Sequence, residues 1–370
     1  MSEFLPEVLA VEILARLSIK DLARCRCVCK TWRSLINHRG FAERYLDISP
    51  VRFVLFYDKG FYLLYVGGKN LVIQNPQKLE FPLDESMIDE STCVLHCHGT
   101  LCVTLENHTL IVWNPYSNQF KIVPNPGIYR DSNILGFGYD PVSNDYKLVT
   151  FIDQIGSSTA QIFEFRTGSW RGRESVPIPY PDWHYRERIG TFLDQYLYWI
   201  AYRSNVDRFI LCFNLSTYEY RKLALPVYKE GVTCSWLGVT KKNLCVIEYV
   251  TCEKEIRVSV MEKTGSWNKI ISLSMLDFID VQDRKCDYQV EFVSFTKKND
   301  LFVTFTGYSD DYETGAEDRE KKKMFLYKTG DNTTEQVRLC NSLPGFRFLG
   351  EYVETLVLLI VYLFEPRKEH

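Results

Sequence analysis

The residue types best suited to metal chemistry lie together in the segment Cys93–His98. Thiolates and imidazoles are the ligands that zinc prefers, and a structural zinc site uses four of them in a tetrahedral arrangement. On a strand, however, Cys93 and Cys97 would share one face while His96 and His98 share the other. The sequence has no second pair at zinc-finger spacing and no Cys-x-x-Cys pair. The twelve cysteines therefore predict scattered thiols in a reducing compartment, with no metal and no cofactor.

Motifs for hydrolysis or phosphoryl transfer are missing from the sequence. There is no Gly-x-Ser-x-Gly nucleophile elbow and no phosphate-binding loop. Asp140 and Asp145 lie in turn contexts, where aspartate commonly satisfies backbone groups. The six histidines form no ligand set that spacing can identify. We therefore predict a chain without catalytic activity of its own.

Two proline-containing loops carry the side chains typical of protein interfaces. The segments Pro124–Arg130 and Pro177–Arg186 combine proline with tyrosine and arginine, and the second adds a tryptophan. Tyr, Trp and Arg dominate the energetically important positions of protein interfaces. The predicted contact residues are Tyr129, Tyr180, Trp183 and Tyr185. The alternative interpretation is that these aromatic side chains fold back onto the protein.

Length and composition indicate one large domain and a small one. The chain has 370 residues, 46% of them hydrophobic, which is enough for a sizeable core. A formal charge of −3 gives no support for binding nucleic acid or a membrane surface. The longest uncharged apolar run, Leu356–Phe364, has nine residues, whereas a membrane helix needs roughly 20. With no secretory pattern at the N-terminus, we expect a cytoplasmic or nuclear protein.

The first 46 residues have the apolar spacing of helices. Leu9, Ile13 and Leu17 recur every four residues and would lie on one helix face. Pro6 suits the first turn of that helix, and the motif Ser18-x-x-Asp21 suits the start of a second one. The spacing then predicts one helical stripe through Leu22, Cys25, Cys29, Trp32 and Ile36. So short a unit needs a partner surface, which is either another protein or the rest of this chain.

This segment resembles an F-box, the helical module that docks a protein onto the Skp adaptor of a cullin-type ubiquitin ligase. The resemblance is carried by Leu5-Pro6, Glu12-Ile13-Leu14 and Cys27-Val28-Cys29-Lys30-x-Trp32-x-x-Leu35-Ile36. It implies that residues 1–46 bind a Skp-type adaptor. The residues expected to form or support the contact are Leu5, Pro6, Leu9, Ile13, Leu17, Leu22 and Trp32.

From about residue 51, short runs of β-favouring residues alternate with turn residues and recur as a unit. Aromatic positions 113, 170, 213, 267 and 327 are 57, 43, 54 and 60 residues apart, near the period of a propeller blade. Phe53–Phe56 with Leu71–Ile73 can supply a first blade, giving about six. The run Phe346–Phe364 can complete that first blade from the far end of the chain and remove its open edge. The alternative fold is a pair of packed antiparallel sheets.

Five segments of this β region resemble the plant F-box-associated domain. They are Gly136–Pro141 with Asn144–Val149, Trp113-Asn114-Pro115, Gly168-Ser169-Trp170, Tyr198-Trp199 and Tyr352–Leu359. Together with the F-box, the resemblance covers nearly the whole chain. It implies a small all-α F-box over residues 1–46. An all-β, propeller-like substrate-binding domain over residues 51–364 follows it.

The two resemblances imply a non-catalytic substrate receptor of a Skp–cullin–F-box ubiquitin ligase. Such a receptor reaches the cullin and RING subunits through the adaptor, binds a protein target, and leads to its ubiquitination and proteasomal degradation. Family members act in pollen self-incompatibility and in controlling immune-receptor levels, and the residues favour neither role. Two alternatives stay open: a lectin-like protein in which Trp199 or Trp183 stacks on a sugar, and a propeller enzyme.

Overall fold

Three short α-helices precede six β-sheets in the computed structural model of the protein. It describes residues 7–17, 19–38, 40–41, 44–45, 52–65, 72–73, 76–88, 92–105, 109–124, 135–154, 157–174, 189–204, 207–226, 232–279, 287–296, 298–308, 321–339 and 347–352. No helix in these ranges is long and apolar enough to cross a membrane.

The helices are α1 (Glu7–Leu14), α2 (Ile19–Cys25) and α3 (Lys30–Ile36). The single apolar stripe predicted from Leu22 to Ile36 is wrong, because the chain turns at residues 26–28. Cys29 has extended backbone and caps α3, with its Sγ accepting a hydrogen bond from the Trp32 N–H at 3.4 Å. Val28 and its two cysteine neighbours are weak helix formers, which favours a break at this point.

The strands are β1 (Arg52–Tyr57), β2 (Gly60–Tyr65), β3 (Val72–Ile73), β4 (Gln77–Lys78), β5 (Val94–Cys97), β6 (Thr100–Thr104), β7 (Leu110–Asn114), β8 (Gln119–Val123), β9 (Leu135–Asp140), β10 (Asp145–Gln154), β11 (Ser157–Glu164), β12 (Ser169–Glu174), β13 (Thr191–Leu193), β14 (Tyr196–Ser204), β15 (Asp207–Asn214), β16 (Tyr220–Ala224), β17 (Val232–Thr240), β18 (Asn243–Val250), β19 (Glu255–Met261), β20 (Trp267–Ser274), β21 (Asp287–Phe295), β22 (Leu301–Tyr308), β23 (Lys321–Lys328), β24 (Thr333–Leu339) and β25 (Arg347–Tyr352).

These strands form the six blades of a β-propeller. The first blade has the order β25-β1-β2-β4. The second to fifth blades are β5–β8, β9–β12, β13–β16 and β17–β20, and the sixth is β21–β24 with β3 added at its edge. The alternative of two packed sheets is therefore wrong. The prediction that a strand from the far end of the chain completes the first blade is confirmed by β25.

One strand assignment made from the sequence is wrong. Val72 and Ile73 were expected in the first blade, but they pair in parallel with Arg338 and Leu339 at the edge of the sixth. The outer position of the first blade is occupied by β4, which pairs with β2. Without β3, the edge of β24 would present unpaired backbone N–H and C=O groups. β3 pairs with two residues of that edge.

The repeat also has a different register from the predicted one. Trp113, Phe213 and Tyr327 do lie on the third strands of their blades, but Trp170 and Trp267 lie on fourth strands. The strand pairings instead align positions 113, 163, 213, 260 and 327, separated by 50, 50, 47 and 67 residues. Trp170 pairs directly with Phe163, so the two adjacent strands carry aromatic side chains at the same register position and spacing alone does not distinguish them.

The chain divides into two compact units. The first contains the three helices, the strands β1 and β2, and the strands β4 to β8, while the second contains β3 and β9 to β24. In the first unit, Trp113 lies in a cluster with Phe61 and Phe81, whose ring centroids are 6.1 and 5.5 Å from it. The three helices thus belong to the same compact unit as the second blade.

Candidate functional sites

The helical module has an apolar core of its own. Tyr45 closes it, donating a hydrogen bond from its hydroxyl to the Leu17 carbonyl at 3.4 Å. Arg44 donates to the Glu12 carboxylate at 2.9 Å and ties the end of the module back to α1. The buried residues of this core, called the helical cluster below, are Ala10, Leu14, Ala15, Leu22, Leu35, Ile36, Phe41 and Tyr45.

A second face of α1 is apolar and exposed. Leu9 and Ile13, one turn apart, are 51% and 52% exposed. Val8 and Val28 are also exposed, so that four of the ten large apolar side chains that the described part of the chain leaves exposed lie in this module. Exposed apolar side chains concentrated in one small region mark an interaction surface.

The residues predicted to contact the adaptor differ in their exposure to solvent. Leu9 and Ile13 face water and are free to make an intermolecular contact. Leu22 is fully buried and can only support the surface from within, while Leu17 and Trp32 are half-buried against the helical cluster. Leu5 and Pro6 lie outside the described residues.

The cysteine- and histidine-containing segment includes β5, a strand at one edge of the second blade's sheet. Cys93 and Cys97 are buried, and burial raises the pKa of the Cys97 thiol. Burial also lowers the pKa of His96 to about 4, so the imidazole is neutral at pH 7. Among the described residues, no group of three or more His, Cys, Asp or Glu side chains is placed to hold a metal ion.

A buried ion pair lies in the hairpin formed by β9 and β10. Lys147 donates from Nζ to Asp140 Oδ2 at 2.8 Å and to the Leu215 carbonyl at 2.7 Å. Ser143 and Ser216 donate to the same carboxylate. Burial alone would raise the pKa of Asp140, but the hydrogen bonds from Lys147 and the two serines lower it to about 2.

The same hairpin satisfies backbone groups, as the sequence predicted for its aspartates. Asp140 accepts from the Val142 N–H at 3.0 Å, and Asp145 accepts from the Arg166 N–H at 3.0 Å. Lys147 also lies 4.4 Å from the centroid of the Tyr218 ring. Because Leu215, Ser216 and Tyr218 belong to the fourth blade, the hairpin fastens the third blade to the fourth. Nothing in the sequence pattern indicated that Lys147 would be buried.

The glycines of β9 make room for aromatic side chains of the fourth blade. A Cβ at Gly136 would overlap the Trp199 ring, and one at Gly138 would come within 2.5 Å of Phe192. Trp199 is fully buried and donates from Nε1 to the Leu135 carbonyl at 3.2 Å. The hypothesis that Trp199 stacks on a sugar is therefore wrong.

The predicted target-binding residues Tyr129, Tyr180, Trp183 and Tyr185 lie outside the described residues. Their positions in the chain are still informative. The first of the two loops runs between the end of β8 and the start of β9, and the second between β12 and β13. Each therefore connects the last strand of one blade to the first strand of the next.

Comparison with known proteins agrees with this architecture. Residues 3–44 match the F-box domain family, and residues 52–359 match the family described as the F-box associated beta propeller domain. A protein of Arabidopsis thaliana named as an F-box protein, At3g16210, is 73% identical over 359 residues, covering 97% of this chain and 99% of its own.

More distant relatives in the same plant have the same extent. At4g10190, also named as an F-box protein, is 27% identical over 377 residues, covering 95% of this chain and 97% of its own. At3g22730, named as an F-box/kelch-repeat protein, is 23% identical over 373 residues, covering 94% and 95%. This chain therefore belongs to the plant F-box proteins that carry an F-box-associated β-propeller domain.

Proposed function

We propose that this protein is the target-recognition subunit of a Skp–cullin–F-box ubiquitin ligase. Its F-box binds a Skp-type adaptor, which brings the cullin and RING subunits. Its propeller binds a protein target, which is then ubiquitinated and degraded by the proteasome. The protein acts in the cytoplasm or nucleus and catalyses no reaction itself.

The exposed apolar face of α1 is the observation that supports this proposal most strongly. Leu9 and Ile13 are not needed to fill the helical cluster, which is made by other side chains. Burying a leucine or isoleucine side chain at an interface contributes about 1.5–3 kcal/mol. A pair of such side chains on one helix is therefore an effective anchor for an apolar groove.

The direction of the chain in the second blade supports a target site away from the adaptor. Tyr116, in the turn between β7 and β8, packs against the helical cluster. From that turn β8 runs five residues to Val123, about 17 Å further along the blade. The loop carrying Tyr129 thus starts from the end of the blade opposite to the F-box. Loops of this kind commonly carry binding residues on a rigid scaffold.

Reconstitution of the ligase tests the proposal. The purified protein is mixed with a Skp-type adaptor, a cullin, a RING subunit and a ubiquitin-conjugating enzyme, together with proteins captured from native tissue. We expect ubiquitin transfer to one or a few captured proteins, which is lost when this chain is omitted or when Leu9 and Ile13 are replaced by Ala. Transfer that does not depend on this chain would contradict the proposal.

A further inference from the structure

Tyr116 of the second blade is packed into the F-box. It is half-buried against the helical cluster, alongside Val11, Leu17 and Trp32 of the F-box itself. It is separated from those residues by more than 80 positions in the chain, so the contact joins the F-box to the propeller. It also lies within one compact unit of the protein.

The turn that presents Tyr116 is held rigidly. Asn114 is fully buried, and its Oδ1 accepts from the N–H groups of Tyr116 at 2.8 Å and Ser117 at 2.9 Å. Its Nδ2 donates to the Gly99 carbonyl at 3.3 Å. The Trp113 indole donates to Asn118 Oδ1 at 3.1 Å at the other end of the turn. The Trp113-Asn114-Pro115 motif therefore fixes the position from which Tyr116 projects.

The other blades supply an internal comparison for this position. Each corresponding turn between third and fourth strands ends in a residue with positive φ, namely Asn118, Gly168, Tyr218, Gly265 and Asn332. The residue two positions before it is Tyr116 in the second blade. In the third to sixth blades it is Arg166, Ser216, Lys263 and Gly330. Among these five described turns, only the one that contacts the F-box has an aromatic side chain at this position, so turn geometry does not require one.

The small size of the F-box makes a stabilising contact with the propeller important. About 40 residues bury too little apolar surface to fold independently without further support. A half-buried tyrosine ring adds a substantial apolar area to the helical cluster, since aromatic side chains bury 150–250 Å² when fully enclosed. The Tyr116 ring can therefore stabilise α1 and α3 against local opening.

We propose that Tyr116 is a docking residue for the chain's own F-box. It completes the F-box core and holds the helical module at a fixed position on the second blade. The F-box and this blade then open and close as one unit, and an adaptor bound to α1 is held in a fixed direction relative to the blade. This proposal does not depend on the identity of any partner.

Amide hydrogen exchange of the full chain tests the proposal without an adaptor. In Y116A we expect exchange in α1 and α3 to be at least ~10-fold faster than in the wild type, with β6 and β7 unchanged, because the ring contributes to the F-box core. Y116F keeps the ring and should exchange like the wild type. K263A, at the corresponding turn position of the fifth blade, is the matched control and should also exchange like the wild type.

Two outcomes would overturn the proposal. One is unchanged exchange of α1 and α3 in Y116A. The other is equally accelerated exchange in β6 and β7, which would mean that Tyr116 stabilises the blade and not the F-box. If Y116A does not fold, Y116L replaces it, and an increase confined to α1 and α3 remains the expected result.

Discussion

The Lys147 ammonium lies 2.8 Å from the Asp140 carboxylate, and both side chains are at least 96% buried. The ammonium is shared with the Leu215 carbonyl of the next blade, and the carboxylate with Ser216 of that same blade. Two residues of a family-specific segment therefore hold two blades together. The segment on which the resemblance to the propeller family rests therefore has a structural role, in which its charged side chains join neighbouring blades.

Replacing one member of this pair should be strongly destabilising. K147M leaves the Asp140 carboxylate buried without its counter-charge, and breaking a buried pair in this way typically costs about 3–5 kcal/mol. Urea unfolding of the purified protein measures the loss. K269A, which removes an exposed lysine from the outer strand β20, should change the free energy of unfolding by less than about 0.5 kcal/mol. Equal effects of K147M and K269A on the free energy of unfolding would contradict the role of the Lys147–Asp140 pair in holding the two blades together.

The neighbouring Asp145 should make stability depend on pH in the opposite way from Asp140. Burial raises the pKa of Asp145 to about 6, although the Arg166 N–H and Lys147 favour its charged form. Between pH 4 and 6 the unfolded chain ionises this carboxyl while the folded chain does not, so its contribution to stability falls as pH rises. Above pH 6 the contribution is constant. Asp140, whose folded pKa is lowered, contributes stability above about pH 4 that is lost as pH falls towards 2.

D145N isolates the Asp145 contribution. The amide cannot ionise, and its oxygen can still accept from the Arg166 N–H. From pH 4 to pH 6.5, the free energy of unfolding of the wild type should fall relative to that of D145N, by about 2–3 kcal/mol. Urea unfolding at several pH values in this range measures the difference. If the free energies of unfolding of the wild type and D145N change in parallel with pH, the raised pKa of Asp145 is contradicted.

Because the third and fourth blades approach closely at β9, adding one methyl group there should lower the stability of the protein. In G136A the new Cβ overlaps the buried Trp199 ring, and overpacking of this kind typically costs about 1–3 kcal/mol. Gly330 has no atom near the position of an added Cβ, so G330A should be nearly neutral. Thermal unfolding compares the two variants. A G136A protein as stable as G330A would contradict the packing described for β9.

The sequence predicted features that depend on local patterns and missed those that depend on distant contacts. The middle strands of the blades, the six-blade architecture and the closing strand β25 followed from alternation and period. The break before Cys29 was missed because the apolar spacing continues through it. The assignment of β3 was wrong because a two-residue strand has no periodicity to place it. The burial of Lys147 depends on Leu215, 68 residues away, which no local pattern reports.

The target-binding residues stay a prediction that capture experiments can test. Replacing Tyr129, Tyr180, Trp183 and Tyr185 together by Ala should abolish target capture while adaptor binding is kept, because aromatic anchors dominate interface energies. Proximity labelling in native tissue identifies the target. The labelling enzyme is fused to the L9A/I13A variant, which is expected to hold the target without passing it to the ligase. Capture that persists in the quadruple variant would move the target site elsewhere on the propeller.

The affinity of the full chain for a purified Skp-type adaptor tests the central claim most directly. In L9A/I13A each truncated anchor typically costs about 2–4 kcal/mol, so calorimetry should show binding weakened at least 30-fold, with unchanged thermal unfolding. L276A removes an equally exposed leucine from the propeller and should bind the adaptor like the wild type. Adaptor affinity that is the same for L9A/I13A and the wild type would contradict the account of α1 as the docking face.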